Sequence, residues 1–187
     1  LMQSGVDLLA VANVKEANEI REMGSGWPIL VLGPLLAEED NALIELDLIP
    51  SVSSVDEVKR FQNLCQQAGK KLKVHLKIDT GMGRMGAWWE IAPQVIEQIY
   101  SSSDIELKGI LTHFAEPSNE EFSQLQRTRL QTIIKDYLPS PLPPDFIVHA
   151  DNSSSLKVME KDSIFNAVRI GLLQFGVSPP VHSALAQ

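Results

Sequence analysis

Residues 72–86 read LKVHLKIDTGMGRMG: a strand that ends in something strands do not need. Successive strand side chains point to opposite faces, so Val74, Leu76 and Ile78 share one face and His75, Lys77 and Asp79 the other. The first face is wholly apolar. The second holds three groups that cost free energy when buried unless each finds a partner. Two readings of that polar face stand open. It is an internal layer of salt bridges and hydrogen bonds with no chemistry, or it positions a functional group beyond the strand end. The turn that follows wraps Gly81, Gly83 and Gly86 around a single Arg84. Glycines let backbone take positive φ or approach a ligand closely, and the guanidinium supplies a permanent cation. Alone, the same pattern also fits an ordinary helix start with a surface arginine.

Outward from this stretch, short β-like runs alternate with longer helical patterns, the arrangement of parallel strands joined by crossover helices. The strand candidates are Leu8 to Ala12, Ile29 to Leu32, Ile49 to Val52, Leu72 to Ile78, Leu107 to His113, Phe146 to Ala150 and Ala167 to Leu173. Between them, VKEANEIREMG spaces Val14, Ala17, Ile20 and Arg21 for one helix face and stops at Gly24. SSVDEVKRFQNLCQQAGKK opens on Ser53 and Ser54 with Glu57 placed for a capping box. The proline-rich PSPLPPD, residues 139–145, is a stiff connection before a strand and not a domain linker, because the alternation resumes after it. The pattern predicts an α/β chain of the (β/α)8 TIM-barrel type, incomplete, with about seven strands where the full barrel takes about 250 residues. The competing architecture, an open doubly wound sheet, more often carries a glycine-rich phosphate turn after its first strand, and none follows Ala12.

Composition limits what such a barrel does. The 187 residues are 44% hydrophobic, enough for one sizeable core and one domain. Lys plus Arg number 16 against 24 Asp plus Glu, a formal charge of −8. Nucleic acid and anionic membrane both call for a basic footprint, so neither is an expected partner. A small molecule suits the charge better. The lone Cys65, the lack of a long apolar run and the lack of a signal-peptide pattern point to a reducing cytoplasm.

The unusual residues cluster at strand ends, where barrels keep their chemistry. GILTHFAEPSNE puts His113 at the end of an apolar run. FIVHADNSSSL ends a strand in His149, Asp151, Asn152 and three serines, and hydroxyls with backbone N–H groups at a helix start form an anion site. NAVRIGLLQFG sets Arg169 on a strand, either snorkelling to the rim or paired to something buried. Each has an ordinary explanation as core histidine, helix cap or rim arginine. Together they outline a pocket. The four histidines lack close ligand spacing, so no metal site is expected.

These segments resemble alanine racemase, the fold-type III pyridoxal phosphate enzyme. HLKIDTGMGRMG, THFAEPSNEEF, HADNSSSL and AVRIGLLQFGVSP occur in the family's order and spacing, and LLAVANVKEANEIR with PILVLG resembles its earlier strands. The resemblance implies pyridoxal 5'-phosphate as cofactor and interconversion of L- and D-alanine by two-base proton transfer at Cα. It implies that Arg84 hydrogen-bonds the cofactor's phenolic oxygen. Lys77 corresponds to a lysine often carbamylated in the family, whose new charge holds Arg84. His113 packs against the pyridine ring, Leu32 forms a wall, and Asn152 and Ser153 bind the phosphate with the backbone N–H groups of Gly171 and Leu172. Arg169 faces the ring nitrogen with His149 behind it. Because arginine cannot accept that nitrogen's proton, the ring stays a weaker electron sink and prompt reprotonation is favoured over transamination.

Departures from the family pattern shape the expectation. The KANAYGHG-like motif that carries the cofactor-holding lysine is absent, and neither Tyr100 nor Tyr137 lies in the motif of the family's opposing base. The chain therefore reads as a truncated barrel, residues 1–187, lacking the first strand and a C-terminal β-domain, inactive alone, and homodimeric as the full-length protein. Asp151 stands where the family usually has a neutral residue, and Phe175 replaces a frequent tyrosine. The alternatives are a non-catalytic single-domain barrel that holds pyridoxal phosphate and a phosphate-binding barrel without it.

Overall fold

The computed structural model describes residues 5–152 and 164–177. Its strands are β1 (Leu9–Val11), β2 (Ile29–Val31), β3 (Ile49–Val52), β4 (Leu72–Asp79), β5 (Ala87–Trp88), β6 (Ile105–Leu111), β7 (Ile147–Asn152) and β8 (Ala167–Arg169). The helices are α1 (Val14–Met23), α2 (Asp40–Glu45), α3 (Val55–Ala68), α4 (Ala92–Tyr100) and α5 (Glu120–Tyr137). Seven strands form one sheet in the order β1-β2-β3-β4-β6-β7-β8, and β5 is a two-residue appendage on β4. Every pairing is parallel. The two edge strands β1 and β8 both end at the same cavity, so the sheet curls into a nearly closed barrel with helices outside.

The local reasons follow from the residues. Ser54 caps α3 by accepting from Glu57 N at 3.2 Å, and the Glu57 carboxylate accepts from Ser53 N at 2.6 Å, one residue earlier than in a strict capping box. The helix then buries Val58, Phe61 and Cys65 and stops at left-handed Gly69. Asn13 caps α1 through Glu16 N. Arg21, counted with that helix's apolar face in the sequence, instead clips three carbonyls, those of Leu46, Trp27 and Asp47. Val74, Leu76 and Ile78 belong to one core cluster with Val58, Phe61, Val95 and Ile99 of α3 and α4, in keeping with the apolar face that the alternation gives them. Full burial of such side chains contributes about 1.5–3 kcal/mol each.

One strand ends early. The pattern carried the last strand to Leu173, but β8 stops at Arg169 and Leu172–Phe175 forms a 3-10 turn closed by Gly176. Ile170 and Leu172 are 51% and 54% exposed. No helix among the described residues is long and apolar enough to cross a membrane.

Candidate active site

Strand β4 delivers its polar face into the barrel. His75 Nδ1 lies 2.9 Å from His149 Nε2, and Lys77 Nζ donates to Leu32 O at 3.1 Å. Asp79 turns back on its own chain. Its Oδ1 accepts from Gly81 N and Met82 N at 2.9 and 2.8 Å, and its Oδ2 from Arg84 N at 3.1 Å. The polar face is therefore held by hydrogen bonds, and no ion pair among described residues joins these three groups. The carboxylate shapes the glycine turn, in which Gly81, Gly83 and Gly86 all take positive φ, at 142°, 70° and 123°.

The turn opens onto a cavity of about 570 Å3 at the C-terminal ends of the strands, within the size range of cofactor pockets. Leu32, Lys77, Arg84, His113, Arg169 and Gly171 line it, along with Leu172. Three cations and no carboxylate among the described residues face this space. Arg84 is exposed there, and among described residues its guanidinium has no hydrogen-bond or carboxylate partner. Arg169 is anchored from several sides: Nη2 donates to Thr112 O at 2.7 Å and Ala150 O at 3.2 Å, and Nη1 to His149 O at 2.9 Å. The same group lies 3.1 Å from His149 Nδ1 and 3.4 Å from His113 Nδ1.

Burial first, and these cations second, set the protonation of the titratable groups here. Burial, then the charges of Arg84 and Arg169, pushes Lys77 down to about 8. Burial, then Arg169, pushes His113 down to about 4, so its ring is neutral at ordinary pH. An arginine only donates, so Nδ1 of His113 is left as acceptor and Nε2–H as donor. The site can thus bind an anion, at a wall whose arginines donate hydrogen bonds and whose bases do not easily take up protons.

Of the residues singled out in the sequence, Leu32, Lys77, Arg84, His113, Arg169, Gly171 and Leu172 meet at this cavity. Lys77, which the resemblance puts behind Arg84, lines the space itself. His149 is buried behind Arg169 and not in the lining. Asn152 ends β7, paired with Arg169 in register, while its side chain and all of Ser153 lie outside the described residues, as does the side chain of Asp151. Sequence reasoning missed the brace beneath the site. Gln126 on α5 donates to Thr80 Oγ1 and to His113 O, both at 3.1 Å, and accepts from Ala115 N at 3.0 Å. Arg129 donates to Thr80 O at 2.6 Å. The available signal was a glutamine on the same helix face as Leu130, Ile133 and Ile134.

A family model described as "Alanine racemase, N-terminal domain" matches residues 1–179. The chain is 33% identical over 181 residues to an alanine racemase of Methanococcus maripaludis, covering 95% of this chain and 48% of that protein. It is 34% identical over 183 residues to an alanine racemase of Treponema denticola, with coverage of 95% and 48%. Among solved structures, alanine racemase of Clostridium difficile 630 superposes with a TM-score of 0.87 at 30% identity, covering 96% of this chain and 47% of that one. A complex of that protein with cycloserine superposes with a TM-score of 0.85. The chain spans about half the length of the curated relatives it matches. A parallel barrel with a cationic mouth, this match along nearly the whole chain and this likeness of fold together place the chain in the alanine racemase N-terminal domain family.

Proposed function

We propose that the chain is the cofactor-binding barrel of a pyridoxal phosphate-dependent amino-acid racemase that interconverts L- and D-alanine. The observation that carries this reading is the cavity lined by Lys77, Arg84 and Arg169 with no carboxylate among the described residues. Pyridoxal phosphate is anionic at its phosphate and its phenolic oxygen, and the residues present fit it. Pyridoxal phosphate, when bound, supplies an electron sink that acidifies the Cα–H of an amino acid.

The chain's own residues bind and orient. Arg84, uncommitted among the described residues, takes the phenolic oxygen. Gly171 and Leu172, with Asn152 and Ser153, take the phosphate, and His113 and Leu32 wall the ring. Arg169 donates at the ring nitrogen and keeps its own proton, since a guanidinium does not deprotonate below about pH 12. Lys77 is the lysine of the described lining. With its pKa pushed down to about 8, roughly a tenth of it is free amine at pH 7. That amine can attack CO2, forming an N–C bond and releasing one proton, and the resulting carbamate anion would lie beside the Arg84 cation. The protons at Cα are moved by bases outside these residues. Tyr100 and Tyr137 end α4 and α5, and neither is among the residues that line the cavity. We therefore propose that the 187 residues bind the cofactor without racemising alanine, that the whole protein is a cytoplasmic homodimer, and that its product is a D-amino acid for the cell wall.

The test is made on the protein that contains this chain. Pyridoxal phosphate is added, the mixture is treated with borohydride, the labelled peptide is mapped, and D-alanine formed from L-alanine is measured by chiral chromatography. The expected result is D-alanine formation with the label on a lysine other than Lys77. Stoichiometric label on Lys77 overturns the residue assignment. Cofactor binding with no D-alanine supports the second reading, a barrel that holds the cofactor without catalysis, which the placement of both tyrosines favours for the chain alone.

A further inference from the structure

The segment that carries Arg84 leaves β4 at Asp79 and comes straight back to it. Ala87 and Trp88 of β5 pair in register with Ile78 and Asp79, and Trp89 N donates to Asp79 O at 3.1 Å. Residues 80–86 therefore form a loop whose two ends meet at a narrow neck. The Asp79 carboxylate holds the amides of Gly81, Met82 and Arg84, which shapes the entering half. The departing half runs through Met85 and Gly86 into a strand of only two residues. So short a strand has few ladder bonds of its own to anchor that end.

Arg129 of α5 sits across the neck. Its Nη1 donates to Thr80 O, the first carbonyl of the loop, at 2.6 Å. Its guanidinium carbon lies 5.2 Å from the centroid of the Trp89 ring and 5.8 Å from that of the Trp88 ring. Both are within the roughly 6 Å over which a cation is drawn to an aromatic face. One side chain thus touches the chain where it enters the loop and where it leaves. The fit is close: a Cβ at Gly81 would stand 3.2 Å from Arg129 Nη1 and 3.0 Å from Phe122 Cζ. Arginine suits this post because a planar guanidinium donates in its plane and keeps its faces free to stack, whereas a lysine ammonium is a point charge. Arg129 is not among the residues that line the cavity, but Arg84, carried by the loop, is.

We propose that Arg129 is a positioning residue for Arg84: by bonding Thr80 O and stacking on Trp88 and Trp89 it closes the neck of the 80–86 loop and so holds the Arg84 guanidinium at the cavity mouth. Without it the entering half keeps its bonds to Asp79, while the exit at β5 loosens and Arg84 spends less time facing the cavity. The closed neck stands on geometry alone, and its consequence for pyridoxal phosphate rests on the cofactor reading above.

The experiment uses the protein that contains this chain and four variants: Arg129→Met, Arg129→Lys, Arg84→Met and the double variant Arg84→Met with Arg129→Met. Amide hydrogen exchange is followed peptide by peptide with mass spectrometry, and pyridoxal 5'-phosphate is titrated into the cofactor-free protein. Arg129→Met should speed exchange in residues 79–89 roughly tenfold, leave β6 and β7 unchanged, and raise the Kd roughly tenfold, the scale on which outer partners tune a site. Arg129→Lys should fall between, since an ammonium can keep Thr80 O or a ring but not the whole set. In the Arg84→Met background, Arg129→Met should change the Kd by about twofold or less, because a residue that acts through Arg84 then has nothing left to position. Full additivity of the two substitutions overturns the proposal. Exchange that is unaltered, or that rises evenly along the whole chain as a general loss of stability would make it, overturns it too. If Arg129→Met does not fold, Trp88→Leu decides, at a ring that is 41% exposed: it should speed exchange in the same segment, and no change there overturns the proposal. If no form of the protein binds pyridoxal phosphate, the cofactor reading fails while the exchange result decides the neck by itself.

Discussion

Gly86 and Gly83 look interchangeable in the sequence, and the structure gives them different duties. Gly86 takes φ +123°, and a Cβ there would lie 2.7 Å from Asp79 N, 2.9 Å from Ile78 C and 3.1 Å from Lys77 O, all backbone. Gly83 takes φ +70° with open space around it. Gly86→Ala should therefore carry both backbone strain, on the order of 1–3 kcal/mol, and a collision that pushes the turn off the end of β4. Arg84 moves with it. Gly83→Ala should carry only the strain. Urea unfolding and pyridoxal phosphate titration of both variants check this, and equal effects would refute the distinction. The need for glycine and a cation at this turn was legible in residues 72–86. Which glycine backs onto the strand was not, because the obstructing atoms belong to the fold. Gly109 gave no sign at all, since a Cβ there would lie 2.6 Å from His75 Cε1 and 2.7 Å from Ile147 O, both on other strands.

At the level of elements, α5 ties two site-bearing loops to one another. Gln126 is 0% exposed and reaches both the Thr80 turn and the loop after β6, through bonds to Thr80 Oγ1, His113 O and Ala115 N. Thr80 and Thr112 close the same network, with hydroxyls 2.7 Å apart and Thr112 Oγ1 donating to Ile78 O at 2.9 Å. Gln126→Leu keeps the apolar stem but leaves buried N–H and C=O groups without partners, at a cost of about 1–3 kcal/mol for each such group. Its melting temperature should fall and the 113–119 loop should become more sensitive to proteolysis, while a change confined to solubility would count against the brace. Periodicity placed β1 to β4, β6 and β7 to within two residues and carried β8 too far, because it reports only which face is apolar. It could not report this brace, because a glutamine on a buried stripe looks like a lapse in the pattern until its partners, distant in sequence, are known.

For the molecule as a whole, four bases with lowered pKa values make folding depend on pH. His75 and His113 fall from 6.5 to about 4, His149 is held well below its ordinary value, and Lys77 falls from 10.5 to about 8. Between the folded and unfolded values the unfolded chain binds more protons, so stability rises with pH there. For His75 and His113 that window runs from about 4 to 6.5, and their contribution is lost as the pH falls through it; His149 acts in the same direction. For Lys77 the window runs from about 8 to 10.5. A fully buried histidine yields about 1.4 kcal/mol per pH unit within its window, and half-exposed His113 less. Chemical denaturation at a series of pH values should give a profile falling steeply below 6.5 that becomes shallower in His75→Asn. Identical slopes in the two proteins would refute the assignment of proton uptake to His75.

The cationic cavity sits in a body whose formal charge is −8. An anion arriving from afar meets a repelling field, and only within about a Debye length, near 8 Å in physiological salt, does the pocket's own sign prevail. Admission is thus decided at short range by three side chains. On the proposed function, added electrolyte would screen the outer repulsion as well as the pocket's attraction, so salt should weaken anion capture less than it does in a uniformly basic binder.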